Sequence, residues 1–191
     1  MLLGPGDPLP GRPRRVLVAG TSGAGKTTLA RRLSGLLDLP HTELDALFHG
    51  PAWVPRPSFP AEVRALAATG AWVTEWQYGV VRPLLAARAD LLVWLDLPRA
   101  LVMRRLVART VRRRLAGDEL WNGNVEGPLH TFLTDPEHVV RWAWSSHART
   151  GSRVRTLTAD RPDLPVVRLQ RPHEVDRWLA GPASRSVGPQ G

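Results

Sequence analysis

The 191-residue chain has no cysteine, and only one of its 26 basic Lys and Arg residues is a lysine. Without thiols it forms neither disulfides nor thiolate metal sites, although that absence does not fix a compartment. It also lacks any apolar run approaching the length of a membrane span. Its opening residues, Met1 to Pro13, are rich in Gly and Pro, with neither the charged start nor the long apolar core of a secretory leader. They read as a disordered lead-in, residues 181–191 as a flexible tail, and the whole as a cytoplasmic protein with no membrane partner. The six histidines, His41, His49, His130, His138, His147 and His173, show no metal-ligand spacing, so a zinc site is not expected.

What the chain does hold is abundant Arg, Ala, Pro, Gly and Leu, a bias that resembles GC-rich coding and weakens any argument from arginine number. The formal net charge of +9 invites a nucleic-acid partner. Nucleotide phosphates are polyanions too, so charge alone does not separate the two. The length suits one α/β domain, placed at residues 14–180.

The lone lysine is the most informative residue. Lys26 closes the run Gly20-Thr21-Ser22-Gly23-Ala24-Gly25-Lys26-Thr27, a G-x-x-x-x-G-K-T phosphate-binding loop. A lysine acts there as a compact point charge on a flexible stem, which arginine's broad planar fork does not reproduce. Arg14 to Ala19 reads as a buried strand entering the glycines. Thr27 to Leu37 reads as a helix with Leu29, Leu33, Leu36 and Leu37 on one face. Strand, glycine turn and helix is the context the loop needs, because phosphates rest on free amides at the helix N-terminus. Gly20, Ser22, Gly23, Ala24, Gly25, Lys26, Thr27 and Thr28 are the expected nucleotide contacts, and Thr27 offers its hydroxyl to Mg²⁺. ATP and Mg²⁺ are the expected cofactors.

Further strands are expected over 40–45, 71–75, 90–96 and 165–169. Helices are expected over 58–68, 80–89, 98–115, 136–149 and 172–180, with an excursion or lid at about 116–128. Strands alternating with helices imply a parallel sheet with right-handed crossovers. Three of the strands end in an acid: Asp45, Glu75 and Asp96. Leu92 to Asp96 has the apolar-run-then-acid form of a metal-binding strand, and a turn or helix-capping role before Pro98 is the competing reading.

The phosphate loop, His41 to Phe48, Leu95-Asp96-Leu97-Pro98 and the Arg-rich helix together resemble the adenylate-kinase-like P-loop kinases. Trp121 to Glu126 and the ending around Val167 to Leu169 and Glu174 to Leu179 resemble the subgroup of DNA topology modulation (FlaR-like) proteins. The resemblance implies a three-layer α/β/α fold, a five-stranded parallel sheet in the order 2-3-1-4-5 and an Arg-rich lid. It implies transfer of the ATP γ-phosphate to a small acceptor such as a nucleoside or nucleoside monophosphate. It points to Glu75 as the metal-proximal acid or general base, and to Asp45 on the acceptor side. Arg105 and Arg109, from a face that includes Arg112, are the arginines expected at the transferring phosphoryl group. Arg171 and Pro172 fall where the family flanks adenine. Where the family often has an acid followed by Gly-Asn-Tyr, this chain has Glu75-Trp76-Gln77-Tyr78, so a bulky Trp replaces the small residue. Trp53, Trp76 and Tyr78 are candidates to stack a flat acceptor. The alternative reading is a nucleotide-regulated nucleic-acid-binding protein, resting on the net charge and the Arg104–Arg114 face.

Overall fold

The computed structural model describes residues 1–117, 119–124 and 139–188, with backbone alone over 139–146. Six parallel strands form one sheet: β1 (Leu2–Leu3), β2 (Arg15–Gly20), β3 (His41–Thr42), β4 (Trp72–Glu75), β5 (Leu91–Leu95) and β6 (Val166–Leu169). Their spatial order is β1-β6-β5-β2-β4-β3. The helices are α1 (Lys26–Leu37), α2 (Leu44–Phe48), α3 (Phe59–Ala68), α4 (Arg82–Arg88), α5 (Arg99–Ala116), α6 (Val139–Asp160) and α7 (Pro172–Trp178).

Alternation along β2 sets the two faces. Val16 and Val18 face one side with Leu29, Leu33 and Leu37 of α1, Val102 of α5 and Trp178 of α7. Leu17 and Ala19 face the other with Val63 of α3, Leu85 of α4 and Val154 of α6. A central parallel strand buried on both sides must be apolar throughout, and Val16, Leu17 and Val18 are each 0% exposed. Each such side chain contributes about 1.5–3 kcal/mol from burial. The result is the three-layer α/β/α arrangement expected of the chain.

Two expectations are corrected. The sheet has six strands rather than five, because residues 1–13 are not a disordered lead-in. Leu2 and Leu3 pair in parallel with Val166 and Val167 on the edge of β6, and the Met1 ammonium donates to Pro162 O at 2.8 Å and Leu164 O at 3.0 Å. Within the observed order β1-β6-β5-β2-β4-β3 the five expected strands keep 2-3-1-4-5, and β1 extends the sheet beyond β6. The tail from Gly181 is also held through much of its length, since Ala183 is fully buried and Val187 packs against the α1 side of the core. Gly and Pro content lowers local propensity, but docking onto an existing apolar edge outweighs it. Of the excursion expected over 116–128, residues 118 and 125–128 lie outside the described residues, and Trp121–Gly123 form a single 3₁₀ turn. Among the described residues no helix is long and apolar enough to cross a membrane.

Candidate active site

The phosphate loop leaves β2 at Gly20 and reaches α1 at Lys26. Gly23 adopts φ +87°, and a Cβ there would meet Val102 O at 2.8 Å and Leu106 Cβ at 2.9 Å on α5. Gly25 caps α1 at φ +98° with open space around its Cα. One glycine is therefore needed for close approach and backbone angle together, the other for the angle alone. The loop turns through the Ala24 N–H to Thr21 O bond at 3.0 Å, which brings the first turn of the 12-residue α1 to the C-terminal edge of the sheet. That helix end presents free amides suited to phosphate.

Lys26 is where the charged groups meet. Burial holds its ammonium below the ordinary lysine range and Arg109 on α5 lowers it further, while Asp45 and Glu75 oppose the shift. Three of the residues expected from the sequence, Asp45, Glu75 and Arg109, are thus brought to the lysine. Arg105 is exposed and is not among the charges acting on Lys26. At about 100° of turn per residue, Arg109 lies nearer than Arg105 to the buried stripe of Val102, Leu106 and Thr110.

Glu75 ends β4 and is 2% exposed. Burial pushes its carboxyl up, but the His41 ring and the Thr27 hydroxyl beside it outweigh that, and the net shift is downward. Oε2 accepts the Leu44 N–H at 3.3 Å. Oε1 lies 3.5 Å from His41 Nε2 and has no hydrogen-bond partner among the described residues. A buried carboxylate oxygen left open beside a threonine hydroxyl at the start of the phosphate loop fits a hydrated Mg²⁺. No group of three His, Asp or Glu side chains that could hold a metal is found among the described residues, so such an ion would depend on phosphate oxygens and water for its other ligands.

Asp45 does not end a strand as expected. β3 stops at Thr42, and Asp45 lies in the first turn of α2. Its Oδ1 accepts Gln77 Nε2 and the Tyr78 hydroxyl, both at 2.5 Å. Tyr78 holds φ 58°, a left-handed conformation uncommon for an aromatic residue. Its phenol is raised well above the ordinary range by burial first and then by Asp45 and Glu75. His49, one helical turn after Asp45, places Nε2 3.2 Å from the same hydroxyl. Burial lowers His49, against the pull of Asp45 and a Trp53 backbone contact. Tyr78 also stacks on Phe48, with ring centroids 4.1 Å apart. Aromatic packing and the hydroxyl bond together hold the strained backbone in place.

The chain matches no known family model and no curated protein. Among solved structures it is similar to a gluconokinase from Sinorhizobium meliloti 1021, with 21% identity over 76% of this chain and 98% of that one, and a TM-score of 0.39. It is similar to a shikimate kinase from Acinetobacter baumannii solved with shikimate, with 18% identity over 87% and 89% of the two chains and a TM-score of 0.47. A shikimate kinase from Aquifex aeolicus gives 14% identity over 91% and 99%, with a TM-score of 0.48.

Other candidates lie apart from Lys26. Asp96 does not cap α5; it accepts Arg168 Nε at 2.8 Å and Nη2 at 2.5 Å. It lines a cleft of about 450 Å³ with Leu97, Pro98, His147, Gln170, Arg171 and Glu174. Trp76 turns toward α4, donating its Nε1 to Arg82 O at 3.2 Å. His41, His49, Gln77 and the hydroxyl role of Tyr78 were not anticipated as site features. A signal existed for one of them, since Asp45 and His49 are spaced i, i+4 and share a face if the segment is helical. Nothing local pairs His41 with Glu75, which come from neighbouring strands.

Proposed function

We propose that the chain is an ATP-dependent phosphotransferase acting on a small hydroxyl-bearing acceptor. The observation that carries this reading is the convergence of Asp45, Glu75 and Arg109 on Lys26 at the mouth of a phosphate loop. Phosphoryl transfer asks chiefly for positioning and charge neutralisation. Lys26 and the α1 amides hold the phosphates, and Arg109 stabilises the charge that spreads over the transferring group. Thr27 and Glu75 would hold Mg²⁺, which would supply neutralisation of the phosphate charge. Asp45, kept in place by Gln77 and Tyr78, orients the acceptor hydroxyl and takes its proton. The cleft lined by Arg171 receives the nucleotide base. The finer resemblance to the FlaR-like subgroup rests on the sequence of Trp121 to Glu126 and of the ending around Val167 to Leu169 and Glu174 to Leu179, and that subgroup leaves the acceptor open.

The test is ADP release by purified protein with Mg·ATP across nucleosides, nucleoside monophosphates and sugars, beside Lys26→Ala. Turnover stimulated by one acceptor class and lost in the variant is expected. ATP binding with no stimulation by any acceptor class would overturn the reading.

A further inference from the structure

Asn124 is a buried polar side chain, 4% exposed, and among the described residues its side-chain hydrogen bonds run to backbone. Its Oδ1 accepts the Trp53 N–H at 2.9 Å, while Nδ2 donates to Gly50 O at 2.9 Å and Trp121 O at 2.7 Å. Asn122 adds a bond from Nδ2 to the His49 carbonyl. Trp121 donates Nε1 to Glu43 Oε2 at 2.9 Å, and Glu43 is paired with Arg31 of α1. The segment that follows α5 is thereby tied to the loop after α2 and to the helix that carries Lys26.

That loop is strained. Ala52 and Trp53 hold φ 55° and 60°, and Asn122 opposite them holds 58°. Non-glycine residues persist in this region only where their surroundings over-determine them. The Asn124 amide does so, gripping the loop at Gly50 and Trp53 on either side of Ala52. The Trp53 ring is then set edge-on to His49, with centroids 5.0 Å apart, and His49 stacks on Trp121 at 6.0 Å. His49 in turn meets the hydroxyl that holds Asp45.

We infer that residues 119–124 clasp the loop after α2, with Asn124 as the positioning residue that makes this loop a fixed wall on the Asp45 side of the site and keeps water from the phosphates. The inference rests on the phosphotransferase reading above. A closed wall matters to such an enzyme because water competes with the acceptor. When water attacks the γ-phosphorus, the bond to the ADP oxygen breaks, ADP leaves and the water's proton passes to solvent.

The experiment compares wild type with Asn124→Ala and Asn124→Asp, without acceptor. It reads hydrogen exchange at the Trp53 amide, affinity for fluorescent mant-ATP, and ATP hydrolysis. Asn124→Ala is expected to speed Trp53 exchange about tenfold and to raise acceptor-free hydrolysis several-fold, at unchanged mant-ATP affinity. Asn124→Asp keeps the acceptor for Trp53 but sets a buried carboxylate oxygen against the Gly50 and Trp121 carbonyls, and is expected to move exchange and hydrolysis at least as far. Should Asn124→Ala fail to fold, Trp121→Phe keeps an aromatic ring, removes the indole bond to Glu43 and is expected to move hydrolysis in the same direction. Faster exchange with unchanged hydrolysis would make Asn124 a structural residue only and overturn the inference. A wild type that binds no mant-ATP would instead strike the nucleotide reading, and the clasp's role would fall with it.

Discussion

The hydroxyl of Tyr78, the only tyrosine in the chain, donates to Asp45 Oδ1 at 2.5 Å. Burial and two neighbouring carboxylates raise that phenol well above its ordinary value. A single tyrosine makes the consequence directly readable. In the native protein tyrosinate absorbance should fail to rise through pH of about 10, where exposed phenols titrate, and should rise there in urea. Because the folded value is the higher one, the stabilisation is complete below the unfolded value and is lost as pH climbs toward the folded one. A native titration coinciding with the unfolded one would contradict the hydrogen bond.

Asp45→Asn tests the acceptor side. The amide still accepts from Tyr78 and Gln77, so the fold should hold, but it takes no proton. Acceptor-dependent turnover is expected to fall roughly 10²-fold or more. Affinity for mant-ATP should change little. A variant with near-normal turnover would remove Asp45 from the chemistry.

Glu75 gives the opposite pH signature. Its carboxyl is pushed up by burial, yet His41 and Thr27 bring it below the ordinary range. A lowered folded value means that the stabilisation is present above the unfolded value of about 4.3 and is lost as pH falls through the folded one. Glu75→Gln should therefore flatten the acid limb of a stability-against-pH curve. The Mg²⁺ concentration needed for half-maximal turnover should rise in the same variant. An unchanged Mg²⁺ requirement would rule Glu75 out as the metal-side acid.

The two positive-φ glycines of the loop should not be equivalent. Gly25→Ala meets only backbone strain, costing about 1–2 kcal/mol. Gly23→Ala adds a clash with Val102 O at 2.8 Å and Leu106 Cβ at 2.9 Å, both on α5. Thermal unfolding should rank Gly23→Ala as the less stable, with a larger loss of ATP affinity as Arg109 moves with its helix. Equal melting temperatures would contradict the docking of the loop on α5.

The phosphate loop and the central strands were legible because their determinants are contiguous: glycines, one lysine and apolar runs, each read within a few residues. What lay between distant segments was not. Asp96 looks like a metal acid in its own strand, and only β6 reveals the Arg168 that takes it. The strand Leu2–Leu3 is too short to announce itself and exists because β6 offers an open edge. Asp45 fell between strand and helix, since the strand expected over 40–45 and the five-residue helix Leu44–Phe48 overlap there. The candidate site was legible as a list of acids and arginines. That Glu75 and Arg109, rather than Asp96 and Arg105, act on the Lys26 charge follows from which helix face and which strand neighbour lies beside it.

The most direct measurement follows the γ-phosphate itself. Purified protein is given Mg·ATP labelled at the γ position with the acceptor panel, and the label is traced. The account predicts label in one class of small-molecule product, absent with Lys26→Ala and strongly reduced with Asp45→Asn. Label found only in unreacted ATP and inorganic phosphate, for every acceptor, would contradict it.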